Sequence, residues 1–149
     1  MKLMLVSLII VLLFQACGSS PLTQNQSEKV FDYKIDLLKT EIKQRLILFT
    51  NEKFISSKAV IQTNEDGLFS GNGIVQLERS LPIINMELTF IVKYSDNNYK
   101  VKWIVKNLMV NNESMSQSVW GYYYEDIEES INKNNELLFD YLNNYENNF

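Results

Sequence analysis

The sequence contains no histidine, and its single cysteine is Cys17. Without histidine there can be no Ser-His-Asp or Cys-His nucleophile, no His-containing zinc site and no imidazole acid–base catalysis. One cysteine allows no internal disulfide. A membrane-spanning run is also missing. Leu3 to Phe14 is apolar except for Ser7 and covers 12 residues, whereas a spanning helix needs about 20. Positive charge is in short supply too. The chain carries 14 basic and 18 acidic side chains, a net charge of −4. Nucleic-acid binding needs a cluster of cations that displaces counterions, so this balance argues against a nucleic-acid partner.

What is present begins with a targeting segment. Lys2 is a minimal charged region, Leu3 to Phe14 is the apolar core of a signal peptide, and small polar residues follow at once. Phe14-Gln15-Ala16-Cys17 resembles a lipobox, the signal read by bacterial lipoprotein-processing enzymes. Ala16 suits cleavage and Cys17 offers a thiol for acylation, while Phe14 and Gln15 depart from the common Leu-then-small pattern. The competing reading is an ordinary secretory signal with a chance cysteine. We expect residues 1–16 to be removed, leaving 133 residues with 13 basic against 18 acidic side chains. Two or three acyl chains on Cys17 anchor a protein firmly where one binds only marginally. Residues 17–28 then form a lipidated, polar tether, and 29–149 a single domain. The acidic cluster often carried by surface-exported lipoproteins of Bacteroidota-like bacteria does not follow Cys17, and that resemblance implies an address in the bacterial cell envelope, lipid-anchored in the outer membrane and facing the periplasm.

Within the domain, Val30 to Ile35 alternates as a strand. Ile35, Leu38, Ile42, Leu46 and Phe49 recur at spacings of three and four, which predicts a helix over 36–53 capped by Asp36. Four strands follow. Residues 58–63 run into the turn Asn64-Glu65-Asp66-Gly67, and 68–79 resumes with Gly71 and Gly73 on one side, as for a bulge or close helix packing. Met86 to Tyr94 and Tyr99 to Val105 alternate around Ser95-Asp96-Asn97-Asn98. That turn pairs Tyr94 with Tyr99, Val92 with Val101 and Phe90 with Trp103 on one apolar face. On the other face it sets Glu87 against Lys106 and Lys93 against Lys100. Residues 107–119 are polar and predict a loop. Trp120, Tyr124, Ile127, Ile131, Leu138, Leu142 and Tyr145 mark a second helix. Its stripe is broken at Asn134 and Asn135, so the end beyond them is expected to hold less firmly.

This order predicts an α+β fold in which both helices cover one face of a five-stranded, mostly antiparallel sheet. From about Val30 to Leu108 the chain resembles a Bacteroidota family, domain of unknown function 4468, which has a TBP-like fold and occurs in lipoproteins and secreted proteins. The resemblance rests on the helix after a short strand, on Gly71-Asn72-Gly73-Ile74 after an acidic turn, and on the strands ending in Tyr99-Lys100-Val101. It implies a fold and a habitat and supplies no site residues.

Five features invite a functional reading. Glu125, Asp126, Glu128 and Glu129 open the second helix, and a paired-carboxylate or calcium site is conceivable. First-turn acids also complement the helix dipole, and no Asp-x-Asp loop accompanies them, so we expect no metal. Lys93, Lys100, Lys102 and Lys106 share a sheet face, which we expect to be solvated. Gly71-x-Gly73 lacks the rest of a dinucleotide loop. Trp120, Tyr122, Tyr123 and Tyr124, together with Trp103, are the candidate site. They would line an apolar pocket between helix and sheet, or else Trp120 and Tyr124 are core and the other two tyrosines reach the surface. From Asn111 onward there are eight acids and one base, against 10 acids and 12 bases between Glu28 and Val110. Such an excess usually marks a solvated face.

The expected function is a non-enzymatic binding or interaction module, held at the membrane by lipid on Cys17. An unknown protein or a small apolar ligand is its partner, and no cofactor is implied. The alternatives are a carrier with a helix–sheet pocket and an enzyme using carboxylate or lysine chemistry.

Overall fold

The structure is a computed structural model and describes residues 21–54, 60–78, 80 and 82–144. The expected signal peptide, Cys17, Tyr145 and the start of the strand expected at 58–63 lie outside the described residues.

Strands β1 (Glu28–Lys34), β2 (Val60–Glu65), β3 (Leu68–Gln76), β4 (Ile84–Ser95) and β5 (Asn98–Val110) form one sheet in the order β1-β5-β4-β3-β2. Every pairing is antiparallel, and a two-residue β6 (Glu113–Ser114) adds to the end of β5. Helices α1 (Lys39–Lys53) and α2 (Tyr124–Asn144) both pack on the same sheet face. This is the expected α+β architecture.

Turn chemistry fixes the register. Gly67 (φ 82°) and Asn97 (φ 60°) supply the left-handed residues of the β2–β3 and β4–β5 hairpins. Tyr94 pairs with Tyr99, Val92 with Val101 and Phe90 with Trp103, as expected. The Glu87–Lys106 pairing does not occur. A bulge between Glu87 and Leu88 sets Glu87 against Asn107 and leaves Lys106 as the extra residue.

Other boundaries shift for physical reasons. Residues 107–119 are not a loop. β5 continues to Val110 and turns through Asn111 (φ 52°) and Asn112 (φ 67°) into β6, and a 3-10 helix then covers Gln117–Tyr123. Two asparagines can occupy this tight turn because they tolerate the left-handed region. Helix α1 starts at Lys39, so Asp36 is not its cap. Asp96, from the β4–β5 turn, accepts from the Lys39 N–H at 2.8 Å. Leu38 stands outside the stripe and is 58% exposed. At the other end of the stretch expected as tether, Leu22 packs against the core and Gln24–Ser27 forms one helical turn.

The core joins Ile42, Leu46 and Phe49 of α1 and Ile127, Ile131, Leu138 and Leu142 of α2 to the inward side chains of β3, β4 and β5. Burying each of these contributes about 1.5–3 kcal/mol. Asn134 and Asn135 do not loosen the end of α2. Leu138 and Leu142 beyond them are fully buried, and Arg45 of α1 donates to the Leu142 carbonyl.

Candidate functional site

Helix α2 crosses β1 and β5 through a polar seam inside the apolar layer. Asn135 is 3% exposed. Its Oδ1 accepts from Trp103 Nε1 at 3.3 Å, and its Nδ2 donates to the Tyr33 hydroxyl at 2.5 Å. Tyr33 also stacks on Tyr99 at 5.1 Å and meets Phe139 at 5.0 Å. Burial pushes the Tyr99 hydroxyl well above the ordinary tyrosine range. Two turns earlier on α2, Glu128 pairs with Lys29 of β1. The hydrogen bond from Lys29 holds the Glu128 carboxyl below its ordinary value, and the same bond raises the lysine. Tyr124 contributes its hydroxyl to this pair.

The candidate aromatics therefore part company. Trp103 lies fully buried against Phe90, 5.2 Å between ring centroids, and under Asn135. Trp120 is 4% exposed and turns its indole N–H to the Met115 carbonyl at 3.4 Å. Tyr123 packs against the core from the side, Tyr124 is half-buried beside Lys29, and Tyr122 is 64% exposed. The 3-10 turn before α2 separates them. Four aromatics in five residues point in different directions because three residues make one turn there.

A concavity lies elsewhere. A groove of about 450 Å³ runs along the flank of α2 beside the end of β3, with Lys53, Val75, Gln76, Glu129, Lys133 and Leu137 among its walls. Val75 and Leu137 are its apolar walls, and the others are polar or carry charges of both signs. Lys133 bridges the rim to Glu78. No periodicity in the sequence marks this groove, since its walls come from α1, β3 and α2. Among the described residues, no three His, Cys, Asp or Glu side chains converge as a metal site.

The lysine face is partly neutralised by β1. Glu28 meets Lys102 at 2.6 Å, and Asp32 meets Lys100 at 3.5 Å. No helix among the described residues is long and apolar enough to cross a membrane.

No model of a known protein family matches the sequence, and no curated protein matches it. Solved structures do match the fold. The chain is similar to a TBP-like protein from Parabacteroides distasonis, with TM-score 0.62 and 10% identity over 83% of this chain and 97% of that one. It is also similar to a DUF4468 family protein from Bacteroides ovatus, with TM-score 0.58 and 10% identity over 83% and 88%. At this identity the likeness is one of fold. The TBP-like architecture expected from the sequence is the one observed.

Proposed function

We propose that the chain is a lipid-anchored envelope protein, attached through Cys17 and facing the periplasm, whose domain is a non-enzymatic recognition module. The observation carrying this reading is the filled helix–sheet interface. Trp103, Phe90, Phe49 and Leu138 occupy it with no solvent exposure, in the space where an apolar ligand would otherwise sit. Recognition then falls to the surface. The α2 groove, open to solvent and walled by charges of both signs around Val75 and Leu137, suits an exposed protein segment better than an enclosed small molecule. The missing histidine and the acylated thiol remove the His-based and Cys-based nucleophile–base pairs, which supports a role without catalysis.

Two measurements test this. Cells fed labelled palmitate should label the wild-type chain and not Cys17→Ser; equal labelling of both removes the anchor. Native mass spectrometry of residues 18–149, purified gently, should show no retained small molecule. A retained apolar ligand of fixed mass would replace the recognition module with a carrier.

A further inference from the structure

β1 is an edge strand with one side of its backbone still open. The phase of its ladder follows from one bond. The Ile35 N–H donates to the Asn97 carbonyl at 3.1 Å, continuing the register in which Tyr33 faces Tyr99 and Phe31 faces Val101. N–H and C=O of one residue point the same way in an antiparallel strand, and the direction alternates. Lys29, Phe31 and Tyr33 therefore bond to β5, while Val30, Asp32 and Lys34 present their backbone groups outward. Among the described residues nothing reaches those outward groups.

The two edges of the sheet differ. β2, at the far edge, is interrupted by a register shift between Ile61 and Thr63. A bulge is one device by which proteins blunt an edge against pairing. β1 has no bulge and no proline, and pairs in unbroken register over its seven residues.

We propose that β1 is the edge along which two copies of this chain pair, antiparallel, about a two-fold axis at Phe31. The two ends of β1 carry opposite charges that meet in this register. Glu28 lies opposite Lys34 of the second copy, Val30 opposite Asp32, and Lys29 opposite Tyr33. Lys34 is exposed and among the described residues has no ion pair, so in each half of the pairing it gains an opposite charge in Glu28, which also meets Lys102 of its own chain. Val30 is 53% exposed and becomes covered at its backbone. Phe31, half-buried and stacked on Tyr33 at 6.5 Å, meets its own copy on the helix side of the sheet. Val30 and Asp32 pair twice about the axis and supply about four inter-chain hydrogen bonds, which make one continuous sheet. This pairing does not depend on the acylation of Cys17.

Register makes the test sharp. The two Phe31 residues would form a non-hydrogen-bonded pair, with Cα atoms about 4.5 Å apart, inside the range a disulfide spans. The two Tyr33 residues would sit about 13 Å apart along the strands, beyond it. Full-length Phe31→Cys, oxidised mildly in its own membrane, should give a covalent dimer on a non-reducing gel. Tyr33→Cys, and Gln62→Cys on the far edge, should stay at the background set by the unmodified chain. Cross-linking of Phe31→Cys no better than Tyr33→Cys overturns the proposal, and so does an adduct with a different protein in place of the dimer. Independently, the mature chain should have the mass of a dimer in detergent. Val30→Pro removes an outward donor without touching the β5 ladder, and should convert at least most of the dimer to monomer. A dimer unchanged by Val30→Pro overturns β1 as the interface.

Discussion

Trp103 and Asn135, 32 residues apart, are joined by a hydrogen bond from the indole N–H to the amide oxygen at 3.3 Å, inside the apolar layer between α2 and the sheet. The same amide donates to Tyr33, so one side chain sets α2 against both β5 and β1. Leucine at 135 would fill the space and leave the Trp103 N–H with no acceptor. An unsatisfied buried donor costs about 1–3 kcal/mol. Urea unfolding should place Asn135→Leu lower in stability by that amount, while Asn134→Leu, at a half-buried position, changes it by less than about 1 kcal/mol. Equal effects at both positions would show that the seam contributes nothing.

That asparagine also marks where the sequence was legible and where it was not. The hairpin around Asp96-Asn97 was readable because alternation and turn chemistry agree over Phe90 to Trp103. Its register is as expected until the bulge at Glu87, which leaves no mark in the pattern of alternation. Asn135 looked like a fault in the α2 stripe because periodicity treats every polar residue as solvent-facing. Only the tertiary partners Trp103 and Tyr33 show it to be core. The same holds for the lysine face. Glu28 and Asp32 could be matched to Lys102 and Lys100 only once β1 was known to lie beside β5. The aromatic run at 120–124 was misleading in a different way, since a 3-10 turn distributes side chains that an α-helical reading would group.

Truncation tests the seam on a larger scale. Stopping after Lys133 removes Asn135, Leu138, Tyr141 and Leu142, all buried, together with the carbonyl that Arg45 meets. Each large apolar side chain contributes about 1.5–3 kcal/mol, against a net stability of about 5–15 kcal/mol. This truncation should abolish cooperative unfolding, much as stopping after Val119 does. A shortened chain with a sharp denaturation midpoint would show that the last three turns of α2 are dispensable.

The Lys29–Glu128 pair predicts a pH dependence. Glu128 titrates below its ordinary value of 4.5 because Lys29 donates to its carboxylate. A depressed carboxyl stabilises the fold above its unfolded value, and that contribution fades as pH falls through the lower folded value. The melting temperature of the wild type should therefore exceed that of Glu128→Gln from about pH 5 upward, and the two curves should converge as pH falls below 4.5. The pair is solvent-accessible, so the gap should be small and should narrow with added salt. A gap that widens on acidification would reverse the sign and remove the pair as its cause.

Gly73 and Phe54 make the most demanding prediction. Phe54 ends α1 and lies flat on Phe90, with centroids 5.5 Å apart and planes at 16°. The ring occupies the place where a side chain at residue 73 would project. A Cβ there would stand 1.8 Å from Phe54 Cδ1 and 2.2 Å from Cγ, a clash no rotamer of alanine can relieve. Gly73→Ala must therefore push the ring off Phe90 or bend β3, and overpacking of this kind costs about 1–3 kcal/mol, occasionally more. We place Gly73→Ala at or above the upper end, about 3 kcal/mol, because the contact is at the rigid ring base. Phe54→Ala alone should also cost about 3–5 kcal/mol, by opening a cavity beneath α1. In the double variant the added methyl enters that cavity. Gly73→Ala should then cost less than about 1 kcal/mol on the Phe54→Ala background, a coupling well above the few tenths expected of independent sites. Gly71, whose Cβ would meet the Phe90 ring at 2.8 Å, provides the comparison. Phe54→Ala should not relieve Gly71→Ala to the same degree, since Phe90 remains pinned by Phe69, Phe49 and Trp103. Strictly additive costs for Gly73→Ala and Phe54→Ala would mean that the ring does not lie over the glycine, and the placement of α1 on β3 would have to be redrawn.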